Sequence, residues 1–342
     1  MSTIDVMNPS GSAGEITAEK LAGEIELLGQ RLGQVRHSIG RVIFGQQETI
    51  EQTLITLLAG GHVLLVGVPG LAKTRLVETL GVVIGLDDKR VQCTPDLMPA
   101  DIIGSEVLEE SDGGRRSFRF IQGPIFCQLL MADEINRASP RTQSALLQAM
   151  QEHRVSVAGQ YYPLPGPFHV VATQNPLEQE GTYPLPEAQL DRFLMQVDVP
   201  YPDEDAERKM LIATTGANED KPVEVMSAED LLAAQRLVRR VPVGESVVSA
   251  ILTLVRNGRA ETTNIDEVRR HVAWGPGPRA SQALMLASRA RALLSGRFAP
   301  SIDDVVALAH PVLRHRMALN FTARADGVTL NEVIDRLCAP LK

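Results

Sequence analysis

Gly67-Val68-Pro69-Gly70-Leu71-Ala72-Lys73-Thr74 decides the reading of this chain. The apolar run His62 to Val66 precedes it, and a helical stretch begins at Lys73. A strand that turns through glycines into a helix presents backbone N–H groups and the positive end of the helix dipole to an anion. Lys73 then stands where β- and γ-phosphates are held, and the Thr74 hydroxyl where Mg²⁺ is held. Val68, Pro69, Gly70, Leu71 and Arg75 complete the expected nucleotide-binding set. Ala72 occupies the place of a second glycine, keeping the N–H but with less conformational freedom. Taken alone, the stretch also fits a strand-to-helix turn with a chance Lys-Thr.

Two further apolar runs extend the pattern. Ile125 to Ala132 ends in Asp133-Glu134, two carboxylates at the end of a buried strand. Asp133 suits the metal's coordination shell and Glu134 the attacking water of a phosphoryl transfer. The bland alternative is an acidic helix cap. Phe168 to Thr173 ends at Gln174-Asn175-Pro176, where the Asn175 amide is expected to orient the water, or else to serve the turn before the proline. Strands that alternate with helices and carry polar residues at their carboxyl ends predict a doubly wound α/β domain. Ser105 to Phe120, around Asp112-Gly113-Gly114, and Arg154 to Phe168, around Ala158-Gly159-Gln160, read as inserted hairpins.

On the amino-terminal side, residues 1–16 read as a flexible tail, and Thr17 to about Ile43 and Gln47 to Ala59 as helices. Beyond Pro200-Tyr201-Pro202 the strand signals fade and four helical stretches follow. The expected organisation is a nucleotide-binding domain over 17–202 and an all-α lid over 203–342. The 342 residues carry 44% hydrophobic side chains, enough for packed cores, and a formal net charge of −8 that does not favour nucleic-acid backbones. Aromatics amount to 4%, which argues against a stacking platform for single strands. Cys93, Cys127 and Cys338 are scattered without metal-ligand or disulfide spacing, and no run of about 18 apolar residues occurs. These features predict a cytoplasmic protein with no membrane span. The small basic cluster Arg314-His315-Arg316 reads as a solvated face, and Trp274 as packing between domains.

Two arginines complete the candidate list. Arg192, in Leu190-Asp191-Arg192-Phe193, is placed to reach the γ-phosphate of a neighbouring subunit, since a guanidinium supplied in trans stabilises transition-state charge. Arg279, in Gly275-Pro276-Gly277-Pro278-Arg279-Ala280, opens a helix of the second domain, from which it is expected to contact phosphate in its own subunit. By residue chemistry alone both also fit ordinary surface charges.

From about Ile39 onward the sequence resembles the MoxR-type AAA+ ATPases. The resemblance rests on the variant loop 67–74, Asp-Glu-Ile-Asn-Arg-Ala (133–138), Thr-Gln-Ser-Ala-Leu-Leu-Gln-Ala-Met-Gln-Glu (142–152), Ala-Thr-Gln-Asn-Pro (172–176) and Leu-Asp-Arg-Phe (190–193). Ala72 is what that family has in its loop. The resemblance implies an AAA+ core with a parallel sheet flanked by helices plus a helical lid, binding ATP and Mg²⁺. It puts Asn175 at sensor one, Arg192 at the arginine finger, Arg279 at sensor two and Gly45-Gln46 near adenine. It makes the hairpins of 105–120 and 154–168 pore-facing inserts of a hexameric homo-oligomer, and gives Arg137 an intersubunit position. It further implies chaperone-like work on a protein client, often alongside a von Willebrand factor A domain protein. Two other readings stay open at this point: a nucleic-acid-stimulated motor, and a nucleotide-gated scaffold with negligible hydrolysis.

Overall fold

The three apolar runs of the sequence reading become the three central strands of one buried parallel sheet. The structure, a computed structural model, describes residues 18–110, 116–178, 180–216 and 220–341. The expected amino-terminal tail and the turn Asp112-Gly113-Gly114 lie outside the described residues.

In chain order the elements begin with α1 (Ala18–Gly40), α2 (Gln47–Leu58), β1 (Val63–Val66), α3 (Lys73–Ile84), β2 (Asp88–Gln92) and α4 (Pro99–Ile103). The hairpin β3 (Gly104–Glu110) and β4 (Arg116–Gln122), then β5 (Leu129–Asp133) and α5 (Pro140–Glu152), follow. A second hairpin, β6 (Arg154–Val157) and β7 (Gln160–Pro163), leads to β8 (His169–Gln174), α6 (Glu187–Leu190) and β9 (Met195–Asp198). The rest comprises α7 (Glu204–Thr215), α8 (Ala228–Arg240), α9 (Glu245–Asn257), α10 (Asp266–His271), β10 (Val272–Trp274), α11 (Pro278–Leu294), α12 (Ile302–Leu313), β11 (Ala318–Leu319), α13 (Phe321–Ala325) and α14 (Leu330–Cys338).

The five-stranded sheet has the order β2-β5-β8-β1-β9 with every pair parallel. β5 is buried along its whole length and β8 along all but its last residue, which is why their sequences are nearly unbroken apolar runs. The two edge strands escape the sequence reading. β2 is Asp-Lys-Arg-Val-Gln with only Val91 buried, a charged strand that an edge position tolerates. β9 is four residues long and alternates buried with less buried positions. Both inserted hairpins are present, and Ala158 and Gly159 supply the two positive φ angles, 47° and 81°, of the tight turn between β6 and β7.

The second region is helical as expected, with one addition. β10 and β11 form a short antiparallel ladder, Val272 opposite Leu319 and Trp274 opposite Ala318. Trp274 is 36% exposed on that ladder, so it is not the interdomain plug that its position beside the Gly-Pro-Gly-Pro turn suggested. One face of the sheet packs with α1, α2, α3 and the lid helices in a continuous apolar core that includes Leu54, Leu80, Leu284 and Leu313. The other face packs against α4, α5 and the β6–β7 hairpin, centred on Leu64, Leu147 and Phe193. The lid therefore shares its core with the nucleotide-binding half, and burial of apolar surface holds the two together.

Candidate active site

In a parallel sheet all carboxyl ends lie on one side, and there the chain collects most of the residues that the sequence reading assigned to phosphate and metal. β1 runs into the 67–74 loop, and the Gly67 N–H donates to the Gln174 carbonyl at the end of β8 (3.1 Å). Gly70 has φ 86°, open to glycine, whereas Ala72 takes φ 56°, ψ 22° as the N-cap of α3. A left-handed alanine costs about 1 kcal/mol, and such strain concentrates where backbone is shaped for a ligand. The Lys73 ammonium donates to the carbonyls of Gly67 (2.7 Å) and Val68 (2.8 Å), holding the loop closed over the helix N-terminus. Burial pushes the Lys73 pKa down, and the nearby Asp133 and Glu134 charges push it back up. Thr74 is half-buried in the first turn of α3.

Asp133 closes β5, and Glu134 follows at φ 55°, ψ 52°, the second strained non-glycine at this end. Thr173 ties the Asp133 carboxylate to the Glu134 backbone. Its hydroxyl donates to Asp133 Oδ1 (2.5 Å) and accepts the Glu134 N–H (2.8 Å). Asp133 Oδ2 accepts from Arg90 Nη2 (2.6 Å), and Glu134 Oε2 from Gln92 Nε2 (2.9 Å) and Arg137 Nη1 (3.2 Å). Arg137 also lies 3.5 Å from Glu178, so within one chain it pairs with two carboxylates. Arg90 and Gln92 belong to the missed strand β2. The one signal for them is that Val91 and Cys93 are apolar at alternate positions among charges. Asn175 follows β8 beside this group, and its Oδ1 accepts the Leu177 N–H (3.1 Å) in a local turn while Nδ2 faces Glu178 at 3.5 Å.

Gly45 and Gln46 border the loop. A Cβ on Gly45, at φ 70°, would lie 2.4 Å from the Ala206 Cβ, so only glycine admits this approach of α7. Gln46 Nε2 donates to the Leu71 carbonyl (2.9 Å), while its buried Oε1 has no hydrogen-bond partner. That unmet acceptor would be satisfied by an N–H of a bound base. The hard oxygen donors Thr74 and Asp133 fit Mg²⁺, which takes few protein ligands and keeps much of its water.

The two arginines lie elsewhere. A cleft of about 260 Å³ is lined by Gly61 and His62, which precede β1, together with Asp191, Arg192, Arg279 and Arg316. These residues stand at the amino ends of the strands, at least the length of β1, ~10 Å, from the phosphate loop. Arg279 Nη1 is 3.6 Å from Asp191 Oδ2, on the same side as Arg192. The expectation that Arg279 touches phosphate in its own subunit is therefore corrected: the helix it opens is docked at the opposite end of the sheet. Phe193, fully buried, anchors the segment and leaves the half-buried Arg192 at the cleft. The cluster Arg314-His315-Arg316 is corrected too. Arg316 is 2% exposed and His315 is buried, so neither belongs to a solvated face.

Below this cleft two buried histidines are neutral and fixed in opposite tautomers. His62 Nδ1 accepts the Val170 N–H (2.9 Å) and Nε2 donates to the Met150 carbonyl (3.1 Å). His169 Nδ1 donates to the Gly61 carbonyl (2.8 Å), and its Nε2 accepts from the Gln235 amide (3.0 Å). Burial, with a push from His169, takes His62 down to about 3, and burial takes His169 down to about 4.

Comparison with known proteins shows the family and the fold. Residues 62–195 match the ATPase family associated with various cellular activities (AAA), and residues 266–337 the AAA lid domain. The sequence is 41% identical to Chaperone MoxR1 of Mycobacterium tuberculosis over 331 residues, covering 96% of this chain and 86% of that protein. It is 31% identical to Protein MoxR of Paracoccus denitrificans, covering 85% and 89% of the two chains. A solved structure described as a candidate ATPase from Cytophaga hutchinsonii superimposes with a TM-score of 0.84 at 36% identity, covering 93% of this chain and 97% of that one.

Proposed function

This chain belongs to the MoxR family of AAA ATPases, and on that premise we propose that it hydrolyses Mg-ATP in a ring of identical subunits to remodel or mature a protein client. The observation that carries the proposal is the division of the candidate residues between the two ends of one sheet. Lys73, Thr74, Asp133, Glu134 and Asn175 stand at the carboxyl ends, Arg192 and Arg279 at the amino ends. One chain brings together half a phosphoryl-transfer site and carries the other half away from it. Apposition of the carboxyl end of one subunit to the amino end of the next unites them, and head-to-tail contacts of this kind close into rings.

In such a site the loop N–H groups and Lys73 take the β- and γ-phosphates, with Gly45-Gln46 beside the base. Thr74 and Asp133 would hold Mg²⁺, which neutralises charge between the phosphates when bound. Glu134 is the carboxylate that accepts a hydrogen bond from the attacking water, and Thr173 fixes its backbone relative to Asp133 (2.8 and 2.5 Å). The Asn175 amide orients that water, and Arg192, with Arg279 beside it, meets charge on the neighbour's transferring phosphoryl group. The β3–β4 hairpin exposes Leu108 (51%) and Phe118 (71%), an apolar surface suited to gripping a client. A six-membered ring, a cytoplasmic location and a von Willebrand factor A domain co-partner complete the reading by family likeness. The net charge of −8 works against the alternative of a nucleic-acid motor.

The test is steady-state ATP turnover against protein concentration for wild type and Arg192→Ala. Turnover per subunit that rises with concentration and collapses in the variant supports the shared site. Flat turnover, unchanged in the variant, would sink it.

A further inference from the structure

We infer that Arg316, from the lid, is a positioning residue that sets the two arginines at the amino end of the sheet for use by a neighbouring subunit. Most of its guanidinium contacts go to one stretch of chain, residues 191–194, and the rest to Val312 and His315 just before it. Nε donates to Asp191 Oδ1 (2.7 Å), Nη2 to the carbonyls of Phe193 (2.6 Å) and Asp191 (3.3 Å), and Nη1 to the carbonyls of Leu194 (3.1 Å) and Val312 (2.7 Å). Arg192 lies between the residues so held, so its backbone is clamped on both sides. The Asp191 carboxylate is divided, Oδ1 to Arg316 and Oδ2 toward Arg279 at 3.6 Å, so that a single acidic group registers both arginines to the lid. Arg314 adds a tie from the same turn to Asp198 of β9.

Packing alone does not call for this arrangement. A buried guanidinium is costly unless every donor is used, and a methionine fills similar space without that cost. What an apolar side chain lacks is the planar fork that reaches a carboxylate and three carbonyls of one segment at once, and lysine lacks it too. The carboxyl-end residues, Lys73 through Asn175, have no part in the clamp. Loss of Arg316 therefore impairs what a subunit donates to its neighbour and spares what it does with its own nucleotide.

The inference rests on the shared-site reading, and mixed oligomers separate the two. Glu134→Gln subunits donate arginines but do not hydrolyse, and Arg192→Ala subunits hydrolyse only with a donated arginine, so an equimolar mixture regains turnover. Adding Arg316→Met to the Glu134→Gln donor is expected to cut that rescue by roughly 10²-fold, the cost of an ångström-scale misplacement, with Arg316→Lys restoring part of it. Adding Arg316→Met to the Arg192→Ala acceptor should preserve the rescue, and affinity for a fluorescent ATP analogue should be unchanged in both. Equal loss in donor and acceptor arms, or no loss in either, overturns the inference. Absence of rescue with the plain Glu134→Gln donor overturns the shared-site reading and this inference with it.

Discussion

The carboxyl and amino ends of the same five strands are built on opposite terms. At the carboxyl end the backbone does the work: Ala72 and Glu134 are held at positive φ, and the loop carbonyls of Gly67 and Val68 take the Lys73 ammonium. At the amino end, where Gly60 (φ 76°) and His153 (φ 51°) also stand at positive φ, long side chains from the lid reach in: Arg316 and Arg279 meet at Asp191. A phosphate needs many short, fixed donors that exist before it arrives, and main chain supplies those without losing rotamer freedom. A group offered to a neighbour must project, which requires a long side chain and a support to aim it. On the proposed shared-site reading, this chain presents a socket at one end and a plug at the other.

The sharpest way to break that comparison is to damage each end separately. Lys73→Ala and Arg192→Ala should each lower turnover by roughly 10³-fold or more, the scale of a lost transition-state cation. Only Lys73→Ala should also abolish binding of a fluorescent nucleotide in a titration. Loss of binding in Arg192→Ala would erase the distinction between the ends. Next in size, Glu134→Gln should lower turnover by about 10²-fold or more while keeping nucleotide bound, measured as phosphate release beside equilibrium binding. Retained hydrolysis would remove Glu134 from the water's side.

Smaller effects sharpen the contrast. His62 and His169, under the amino-end cleft, are neutral in the fold and titrate near 6.5 when unfolded. Their folded values are depressed, so their contribution is complete above pH 6.5 and is lost as pH falls toward 4. Between pH 6.5 and 5 each should remove about 2 kcal/mol of stability, read as a falling Tm. In His169→Gln, which keeps a donor for Gly61 and an acceptor for Gln235, that pH slope should be shallower. An unchanged slope would show that other groups control the acid response. Smallest of all, Ala72→Gly should be close to neutral, whereas Ala72→Val should cost about 1–2 kcal/mol, because a β-branched residue resists positive φ. Thermal denaturation of the two variants decides it, and equal stability would mean that the loop is not strained at Ala72.

Much of the carboxyl end was legible in the sequence because its chemistry is local. The 67–74 stretch is a run of eight adjacent residues, and Asp133-Glu134 and Asn175 each follow directly on an apolar strand. The strands β1, β5 and β8 announced themselves because burial on both faces forces continuous apolar composition. β2 and β9 did not, since an edge strand needs apolar side chains on one face at most, and Arg90 and Gln92 were missed with β2. Arg314-His315-Arg316 misled for a related reason: charge in a short run reads as solvent exposure, and nothing nearby reveals a distant carboxylate that makes burial tolerable.

By itself, then, the sequence determined the fold class and the candidacy of the 67–74 loop and of Asp133-Glu134 at strand ends, which depend on residues within a few positions of one another. Tertiary structure alone decided that Arg279 stands with Arg192 rather than with Lys73, and that Arg316 reaches across 125 residues of chain to Asp191. Those contacts are set by where the lid docks on the shared core, and the docking is fixed by apolar surfaces spread across the chain, which carry no signature at any single position.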